Sequence, residues 1–253
     1  MTQQPIALIT GGNRGLGRSI ALKLAEAGTD VVLTYRSNEA EAAEVVDAVT
    51  ALGRKAVALQ LDTTSFDTFP AFAVSLREAL ATTWGRETFD YLVNNAGVAA
   101  FTPIGQTTVE AFDLLVNVHF KGVVFLTQEL LPLLADGGRI VNLSTGLARF
   151  VSEGFSVYGA VKSAVDTYSR YLAKELGGRG ISVNTVAPGP IATDFGGGVV
   201  RDNEEINAFW AGNTALGRVG LPEDIGGAIA ALLTPGTGWI TGQRIEASGG
   251  TLI

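Results

Sequence analysis

Short runs of β-branched and other apolar residues alternate along the whole chain with longer segments of helical periodicity. The seven strand-like runs lie at 6–10, 31–35, 56–61, 91–95, 139–144, 181–187 and 243–247. Amphipathic segments lie between them at 16–27, 40–52, 69–84, 109–134, 157–176 and 223–233. This alternation, with strands apolar on both faces, predicts an α/β fold: a doubly wound, seven-stranded parallel sheet with helices on both faces. Ligands of such sheets bind beyond the carboxyl ends of the strands, where the strand order reverses.

No linker, repeat or low-complexity segment divides the chain, so we expect residues 1–253 to form one domain. Residues 195–216 fit neither element type, because three consecutive glycines at 196–198 precede polar residues and then Phe209 and Trp210. A glycine hinge ahead of an amphipathic segment predicts a mobile substrate lid, and an ordinary surface insertion is the alternative.

Composition excludes several kinds of site and partner. The chain has no cysteine and a single histidine, His119, which argues against a disulfide, a thiol nucleophile, a Ser-His-Asp triad and a zinc or other metal site. A net charge of −7 argues against nucleic acid and anionic membranes as partners. We find no signal-peptide pattern and no apolar stretch of membrane-spanning length, so we expect a cytoplasmic protein.

The sequence ITGGNRGLG leads from the first strand into the first helix and contains Gly11, Gly15 and Gly17. Glycines at such a turn let the backbone approach a pyrophosphate, and the N–H groups at a helix N-terminus favour an anion. The spacing differs from that of the commoner dinucleotide motif, and similar turns occur in methyltransferases. The turn alone therefore indicates a nucleotide ligand without selecting its class.

The end of the second strand indicates which dinucleotide is bound. A NAD-specific protein places an acidic residue there to bind the ribose 2′-hydroxyl group, whereas this chain has Tyr35 and then Arg36. Arg14 adds a second guanidinium group in the glycine turn. Guanidinium groups pair well with phosphate oxygens, so we favour NADP(H) over NAD(H). Solvated surface charge is the alternative explanation for both arginines.

Taken together, the motifs resemble the short-chain dehydrogenase/reductase family, including its 3-oxoacyl-[acyl-carrier-protein] reductase-like and glucose dehydrogenase-like members. In chain order they are TGGNRGLG, Asp62, NNAG at 94–97, Asn117, the hydroxyl pair Ser144 and Thr145, YGAVK at 158–162 and PGPIAT at 188–193. The match spans essentially the whole chain. The resemblance implies a Rossmann fold and hydride transfer between a nicotinamide cofactor and an aldehyde, ketone or secondary alcohol.

The resemblance implies a catalytic set of Asn117, Thr145, Tyr158 and Lys162. Family spacing places the hydroxyl group at Thr145, where the family has serine, and Ser144 is the alternative. Tyr158 and Lys162 share a helical face, because they are four residues apart. The pKa of a free phenol is ~10, and it must fall by about 3 for the group to act as an acid and base near neutral pH. An ammonium group about 4 Å away lowers the pKa by an amount of that order.

By the same resemblance, a larger set of residues is expected to line the cofactor. It comprises Gly11, Asn13, Arg14, Gly15, Leu16, Gly17, Arg36, Ser37, Asp62, Thr63, Asn95, Ala96, Gly97, Leu143, Tyr158, Lys162, Pro188, Gly189, Ile191 and Thr193. Asp62 suits the exocyclic amine of adenine, and a helix cap is its alternative role. We expect a packing or surface role for His119, since it is two residues from Asn117 and so faces another way.

The substrate and the assembly are less determined. Pocket candidates are Phe101, the loop at 146–155 and the predicted lid, and they favour a small molecule with a largely apolar body. A 3-oxoacyl-[acyl-carrier-protein] reductase is the second choice, because Asp136 and a lone Arg139 suit an acidic carrier poorly. A non-catalytic NADP(H)-binding sensor or scaffold is a further alternative, and a methyltransferase would not need YGAVK. The family resemblance also implies a homotetramer or homodimer.

Overall fold

The computed structural model describes residues 4–253, and at its centre lies one sheet of seven parallel strands. The strands are β1 (Ile6–Ile9), β2 (Asp30–Tyr35), β3 (Ala56–Gln60), β4 (Phe89–Asn94), β5 (Leu134–Leu143), β6 (Ser182–Pro188) and β7 (Arg244–Ala247). Their order in the sheet is β3-β2-β1-β4-β5-β6-β7, with every pairing parallel. The order reverses between β1 and β4, which confirms the predicted doubly wound sheet.

Helices form most of the connections between strands. They are α1 (Gly15–Glu26), α2 (Glu39–Ala51), α3 (Phe69–Trp84), α4 (Val109–Val116), α5 (Gly122–Leu130), α6 (Ser156–Leu176), α7 (Val199–Asp202), α8 (Glu204–Gly212) and α9 (Pro222–Leu233). Within residues 4–253, none of them combines the length and the apolarity needed to cross a membrane.

The apolar core is divided between the two faces of the sheet. On one face, side chains of α3, α5 and α6 pack together with Ile6 and Leu8 of β1. On the other face, side chains of α1, α2 and α9 pack with Ala7 and Ile9. Successive strand residues point to opposite faces, so each strand contributes to both layers. This is the reason that the strand runs are apolar throughout.

The helix predicted over 109–134 ends early, at Leu130, and contains a π-helical turn. A π-helical turn at Asn117–Lys121 separates α4 from α5, and a 3₁₀ turn follows α5 before β5 begins at Leu134. Beside this turn Gly122 meets the loop after β3, where an added Cβ atom would lie 2.6 Å from the carbonyl oxygen of Thr63. Periodicity missed the break, because the apolar residues on either side of a π turn still recur at helical spacing.

Residues 195–216, the predicted lid, are mostly helical. A non-helical turn at 195–198, whose three glycines have positive φ angles, leads into α7 and α8. The far end of the segment is anchored, because the N–H group of Ala215 donates to the carbonyl group of Gly250 over 3.1 Å. Movement of this segment stays a prediction.

Two adjacent glycines of α9 allow a matched test of the packing between α1 and α9. A Cβ atom on Gly226 would lie 2.4 Å from Oγ of Ser19, whereas one on Gly227 would have no neighbour within 4 Å. We expect G226A to destabilise the fold by about 1–3 kcal/mol through overpacking. G227A should stabilise it by up to about 1 kcal/mol through helix propensity. Urea unfolding measures both, and equal effects of the two variants would contradict the packing described.

Candidate active site

The glycine turn after β1 requires its glycines for two separate reasons. Gly11 and Gly15 have φ angles of 63° and 54°, in the left-handed region that favours glycine. At Gly17 the reason is space, since a Cβ atom would lie 2.1 Å from the carbonyl oxygen of Gly11. The start of α1 is thereby held against the turn, which leaves a cradle of backbone N–H groups suited to a pyrophosphate.

The loop after β4 braces this turn. The side-chain amide of Asn95 donates to the carbonyl oxygens of Thr10, at 2.9 Å, and Gly11, at 3.1 Å. The hydroxyl oxygen of Thr10 accepts in return from the backbone N–H groups of Asn95 and Ala96. Asn95 therefore shapes the predicted cofactor site by holding β1 and β4 together at the point where the strand order reverses.

The adenosine end of the predicted site is more exposed. Arg14, Arg36 and Ser37 are exposed to solvent, and within residues 4–253 neither arginine forms an ion pair. The side-chain amide of Asn13 donates to Glu41 over 2.7 Å, so Asn13 has a protein partner in this structure. Both guanidinium groups are thus available to an anion.

Asp62 forms a local turn of its own. Its Oδ1 atom accepts from the backbone N–H group of Thr64 at 2.9 Å and from the hydroxyl group of Thr64 at 2.7 Å. The second carboxylate oxygen has no hydrogen-bond partner within residues 4–253. Asp62 therefore has a turn-forming role and retains an oxygen that could accept from an adenine amine.

The remaining predicted cofactor residues lie along the same edge of the sheet. Leu16 is half-buried in α1, Thr63 follows β3, Gly97 follows β4, and Pro188, Gly189, Ile191 and Thr193 follow or end β6. Gly189 lies close to the end of β7, since an added Cβ atom would be 2.9 Å from the Cα atom of Ser248. The fold thus gathers segments far apart in sequence into one cleft.

Tyr158 and Lys162 both lie on the buried face of α6. The ammonium group of Lys162 donates to the carbonyl oxygen of Leu143 at the end of β5, over 2.6 Å. Its Nζ atom lies 5.9 Å from the centroid of the Tyr158 ring. Burial lowers the pKa of Lys162 to about 8, and the carboxylate of Asp166, one helical turn further on, acts in the opposite direction.

The phenol of Tyr158 does not show the lowered pKa that the sequence predicted. Burial raises the pKa of Tyr158 above its ordinary value of 10.0, and the nearby hydroxyl group of Thr145 acts in the opposite direction. The ammonium group of Lys162 is bonded to the carbonyl oxygen of Leu143. Tyr158 is therefore protonated at neutral pH, as a proton donor must be.

The two candidate hydroxyl groups after β5 have different surroundings. The Oγ1 atom of Thr145 accepts from the backbone N–H group of Leu147 at 3.3 Å and interacts with Tyr158. The Oγ atom of Ser144 is buried and has no hydrogen-bond partner within residues 4–253. Thr145 is thus the residue of this pair that the structure brings beside the predicted acid.

Sequence reasoning missed a charged group behind these residues. Arg244 of β7 donates to the carbonyl oxygen of Thr145 at 2.8 Å and to Asp166 at 3.2 Å. Asp166 in turn faces Lys162. No motif marks Arg244, because β7 reaches β6 only through the folded sheet. The three side chains link the loop after β5 to the lysine.

The π-helical turn between α4 and α5 carries His119, which packs against Tyr158. The two rings meet edge to face, with centroids 5.2 Å apart and planes at 84°. Asn117 is half-buried, and its carbonyl group accepts from Gly122. The packing role expected for His119 is confirmed, but its partner is the predicted catalytic tyrosine itself.

Aromatic side chains line one side of Tyr158. Phe195 lies with its ring centroid 5.9 Å from that of Tyr158. Further ring pairs are Phe101 with Phe155, Phe150 with Trp210, and Phe209 with Trp210. We call these rings the aromatic wall. Phe101, Phe195 and Phe209 are substantially exposed, so the wall offers flat apolar surface to a ligand, and Phe195 brings it beside Tyr158.

A doubly wound sheet with a glycine cradle at its order reversal, and a Tyr-Lys pair on a neighbouring helix, defines a dinucleotide-dependent oxidoreductase. Residues 11–251 match the family model described as enoyl-(acyl carrier protein) reductase. The chain belongs to the short-chain dehydrogenase/reductase family.

Three relatives illustrate the similarity. A hydroxynaphthalene reductase-like protein of Metarhizium brunneum is 36% identical over 258 residues, covering 98% of this chain and 94% of that one. The solved structure of the promiscuous reductase LugOII, which catalyses keto-reduction at C1 during lugdunomycin biosynthesis, has a TM-score of 0.93 at 36% identity over 99% of both chains. The angucycline C-6 ketoreductase LanV with bound NADP has a TM-score of 0.92 at 35% identity, covering 98% and 95%.

Substitutions at the two hydroxyl residues will show which one acts. T145A should lower kcat on the order of 10²-fold, as the loss of a transition-state hydrogen-bond donor does, and T145S should retain most of the activity. S144A should keep both activity and stability. The hydroxyl group of Ser144 has no hydrogen-bond partner among the described residues, so its removal leaves no other group unpaired. Steady-state kinetics and melting temperatures measure these effects. A loss in S144A as large as that in T145A would contradict the assignment.

Proposed function

We propose that the protein is an NADP(H)-dependent ketoreductase that acts on an aldehyde or ketone with a flat, largely aromatic body, or on the corresponding alcohol. The observation that supports this most directly is the position of Tyr158. It is buried, protonated and next to the hydroxyl group of Thr145, and it adjoins the aromatic wall. A proton donor and an apolar surface for the substrate thus meet at the end of the cofactor cleft.

The proposed chemistry divides between cofactor and protein. When bound, NADPH supplies a hydride to the carbonyl carbon. The hydroxyl group of Thr145 orients the carbonyl oxygen, and the phenol of Tyr158 donates the proton that this oxygen requires. Lys162 places a positive charge behind the phenol, which favours the phenolate left after proton transfer. Asn117 stays a predicted member of the set, as the resemblance implies.

Two kinds of observation support a fused-ring substrate. Phe195 packs beside Tyr158, and Phe150, Phe209 and Trp210 form further ring pairs; such rings contact flat aromatic groups favourably. The names of two relatives describe reduction of hydroxynaphthalenes and of angucyclines. A hydroxylated naphthalene-type ketone is therefore the first substrate to test.

An acyl-carrier-protein substrate is less favoured by the surface before β5. The guanidinium group of Arg139 donates to the carbonyl oxygens of Leu232 and Thr234, both at 2.8 Å. Asp136 is paired with Arg179. This segment therefore presents no unpaired cation to an acidic carrier, which agrees with the low rank given to that alternative.

The test of function is NADPH oxidation with a panel of ketones, aldehydes and a 3-oxoacyl thioester. We expect turnover with the aromatic ketones, and a fall in kcat of about 10²–10⁴-fold in Y158F, because general acid catalysis is lost. Y171F, on an exposed part of the same helix, is the matched control and should be unchanged. Tight NADPH binding without turnover of any carbonyl compound would favour the sensor or scaffold instead.

The preference for NADP(H) depends on Arg14 and Arg36, with the NADP-bound LanV structure as further support. We expect R36E to raise the Kd for NADPH on the order of 10–100-fold, since a hydrogen bond between charged groups contributes about 1.5–3 kcal/mol. Affinity for NADH should hardly change. R170E, at an exposed position on α6, controls for the same reversal of charge. Calorimetric titration measures these affinities, and an equal loss for both nucleotides would contradict a 2′-phosphate site.

We also propose, from the family resemblance, a cytoplasmic homotetramer or homodimer. Apolar side chains stay exposed on neighbouring helices, among them Phe112 and Leu114 of α4 and Phe125 of α5. Such a patch supports association between copies of the chain. Light scattering during size-exclusion chromatography will give the mass of the assembly.

A further inference from the structure

The loop after β5 contains an arginine with several partners. Arg149 follows the 3₁₀ turn at Gly146–Ala148. Its guanidinium group forms a bidentate pair with the carboxylate group of Glu246 on β7, over 2.7 Å from Nε and 2.9 Å from Nη2. It also donates to the carbonyl oxygens of Thr251, at 2.7 Å, and Leu252, at 3.0 Å. These bonds, which we call the arginine bridge, join the loop to β7 and to the segment after it.

Exposure alone would make the ion pair a weak contact. The side chain of Arg149 is 36% exposed and that of Glu246 is 22% exposed, and exposed ion pairs contribute little. A forked pair with further carbonyl acceptors differs, because it fixes the orientation of the planar group as well as its position. Glu246 also accepts from Arg244 at 3.4 Å, and Arg244 donates to the carbonyl group of Thr145. Side chains of β7 therefore hold the loop after β5 at two points.

The segment after β7 is bonded on its other side to the end of the predicted lid. The N–H group of Leu216 donates to the carbonyl oxygen of Gly249 over 3.1 Å. The hydroxyl groups of Thr214 and Thr251 lie 2.9 Å apart in a buried contact. The lid is thereby connected, through this segment, to the group that holds the loop after β5.

The backbone of Leu252 is strained at the point where these connections meet. Within residues 4–253, Leu252 is the one residue other than glycine with a positive φ angle, 52°. A residue with a Cβ atom adopts this conformation only when surrounding contacts impose it. The N–H group of Leu252 donates to the carbonyl oxygen of Asn213 over 2.9 Å, and its carbonyl group accepts from Arg149. The lid and the arginine bridge thus hold this conformation from opposite sides.

The loop and the lid also meet directly through the aromatic wall. Phe150, which follows Arg149, has its ring centroid 6.1 Å from that of Trp210 in α8. The guanidinium carbon of Arg149 lies 5.4 Å from the centroid of the Phe150 ring. The arginine bridge and this ring pair therefore join the same two elements, the loop after β5 and the lid.

We propose that Arg149 is a positioning residue that determines substrate specificity: by bonding Glu246 and the segment after β7, it fixes the loop after β5 against the lid and sets the space between Phe150 and Trp210. A flat ligand gains from contact with rings only when they are held at a suitable separation. Arg149 acts on the shape of the pocket and touches no reacting atom. The preference for flat substrates rests on the proposed function, whereas the arginine bridge does not.

The arginine bridge can be tested without turnover. The chain has three tryptophans, so fluorine NMR of the full-length protein labelled with fluorotryptophan gives three signals, and W210F identifies the one from Trp210. R149M keeps an unbranched side chain but has no donor, so we expect the Trp210 signal to move. R149K should move it as well, because an ammonium group lacks the planar fork that reaches all the partners.

Two controls separate a local change from a general loss of structure. The Trp84 signal should stay in place in R149M, because Trp84 ends α3 and its indole bonds to Asp30 of β2. R170M, at an exposed position on α6, should move none of the signals. An unmoved Trp210 signal in R149M, a wild-type signal in R149K, or equal movement of the Trp84 signal would overturn the proposal whether or not the protein is a reductase.

The second test measures specificity. With a fused-ring ketone, R149M should raise KM about tenfold, the equivalent of a lost aromatic contact, while kcat hardly changes. With a short aliphatic aldehyde both constants should stay near their wild-type values, and so should the Kd for NADPH. E246Q, which weakens the bridge from β7, should raise KM for the ketone in the same selective way. An equal rise in KM for both substrates, or a fall in kcat with both, would refute the role in specificity.

Discussion

The bonds from the amide of Asn95 to the carbonyl oxygens of Thr10 and Gly11 are the contacts on which the rest of the site depends. They join β1 and β4 where the strand order reverses and a cleft opens between two connections. Gly17 lies directly against the carbonyl group of Gly11. This contact and the bonds of Asn95 together set the direction in which α1 leaves the sheet. Cofactor cradle and catalytic loop are thus positioned by one small group of polar contacts.

Burial decides the protonation states around α6. It favours the neutral form of each ionisable group, so the pKa of Tyr158 rises while the pKa values of Lys162 and His119 fall. Asp166 opposes this effect at Lys162, and Arg244 binds Asp166 from β7. The lysine therefore keeps a counter-charge behind it while its ammonium group faces a backbone carbonyl.

Sequence periodicity and motifs did not predict contacts between segments that are far apart in the chain. The helix expected over 109–134 contains a π-helical turn, after which Gly122 lies close to the carbonyl group of Thr63, a residue far away in sequence. His119 of this turn packs against Tyr158, which no count of helical faces could reveal. Arg244 was missed for a similar reason, since it reaches Thr145 only because β7 lies beside β6.

The sequence by itself determined the layers of the fold and most of the candidate site. Strand and helix periods are local properties, and the glycine turn and YGAVK place their side chains by short-range geometry. Only the tertiary structure decided the protonation of Tyr158, the contact between Thr145 and that phenol, and the position of His119. These depend on burial and on distances between separate segments, which become defined only when the sheet and its helices are assembled.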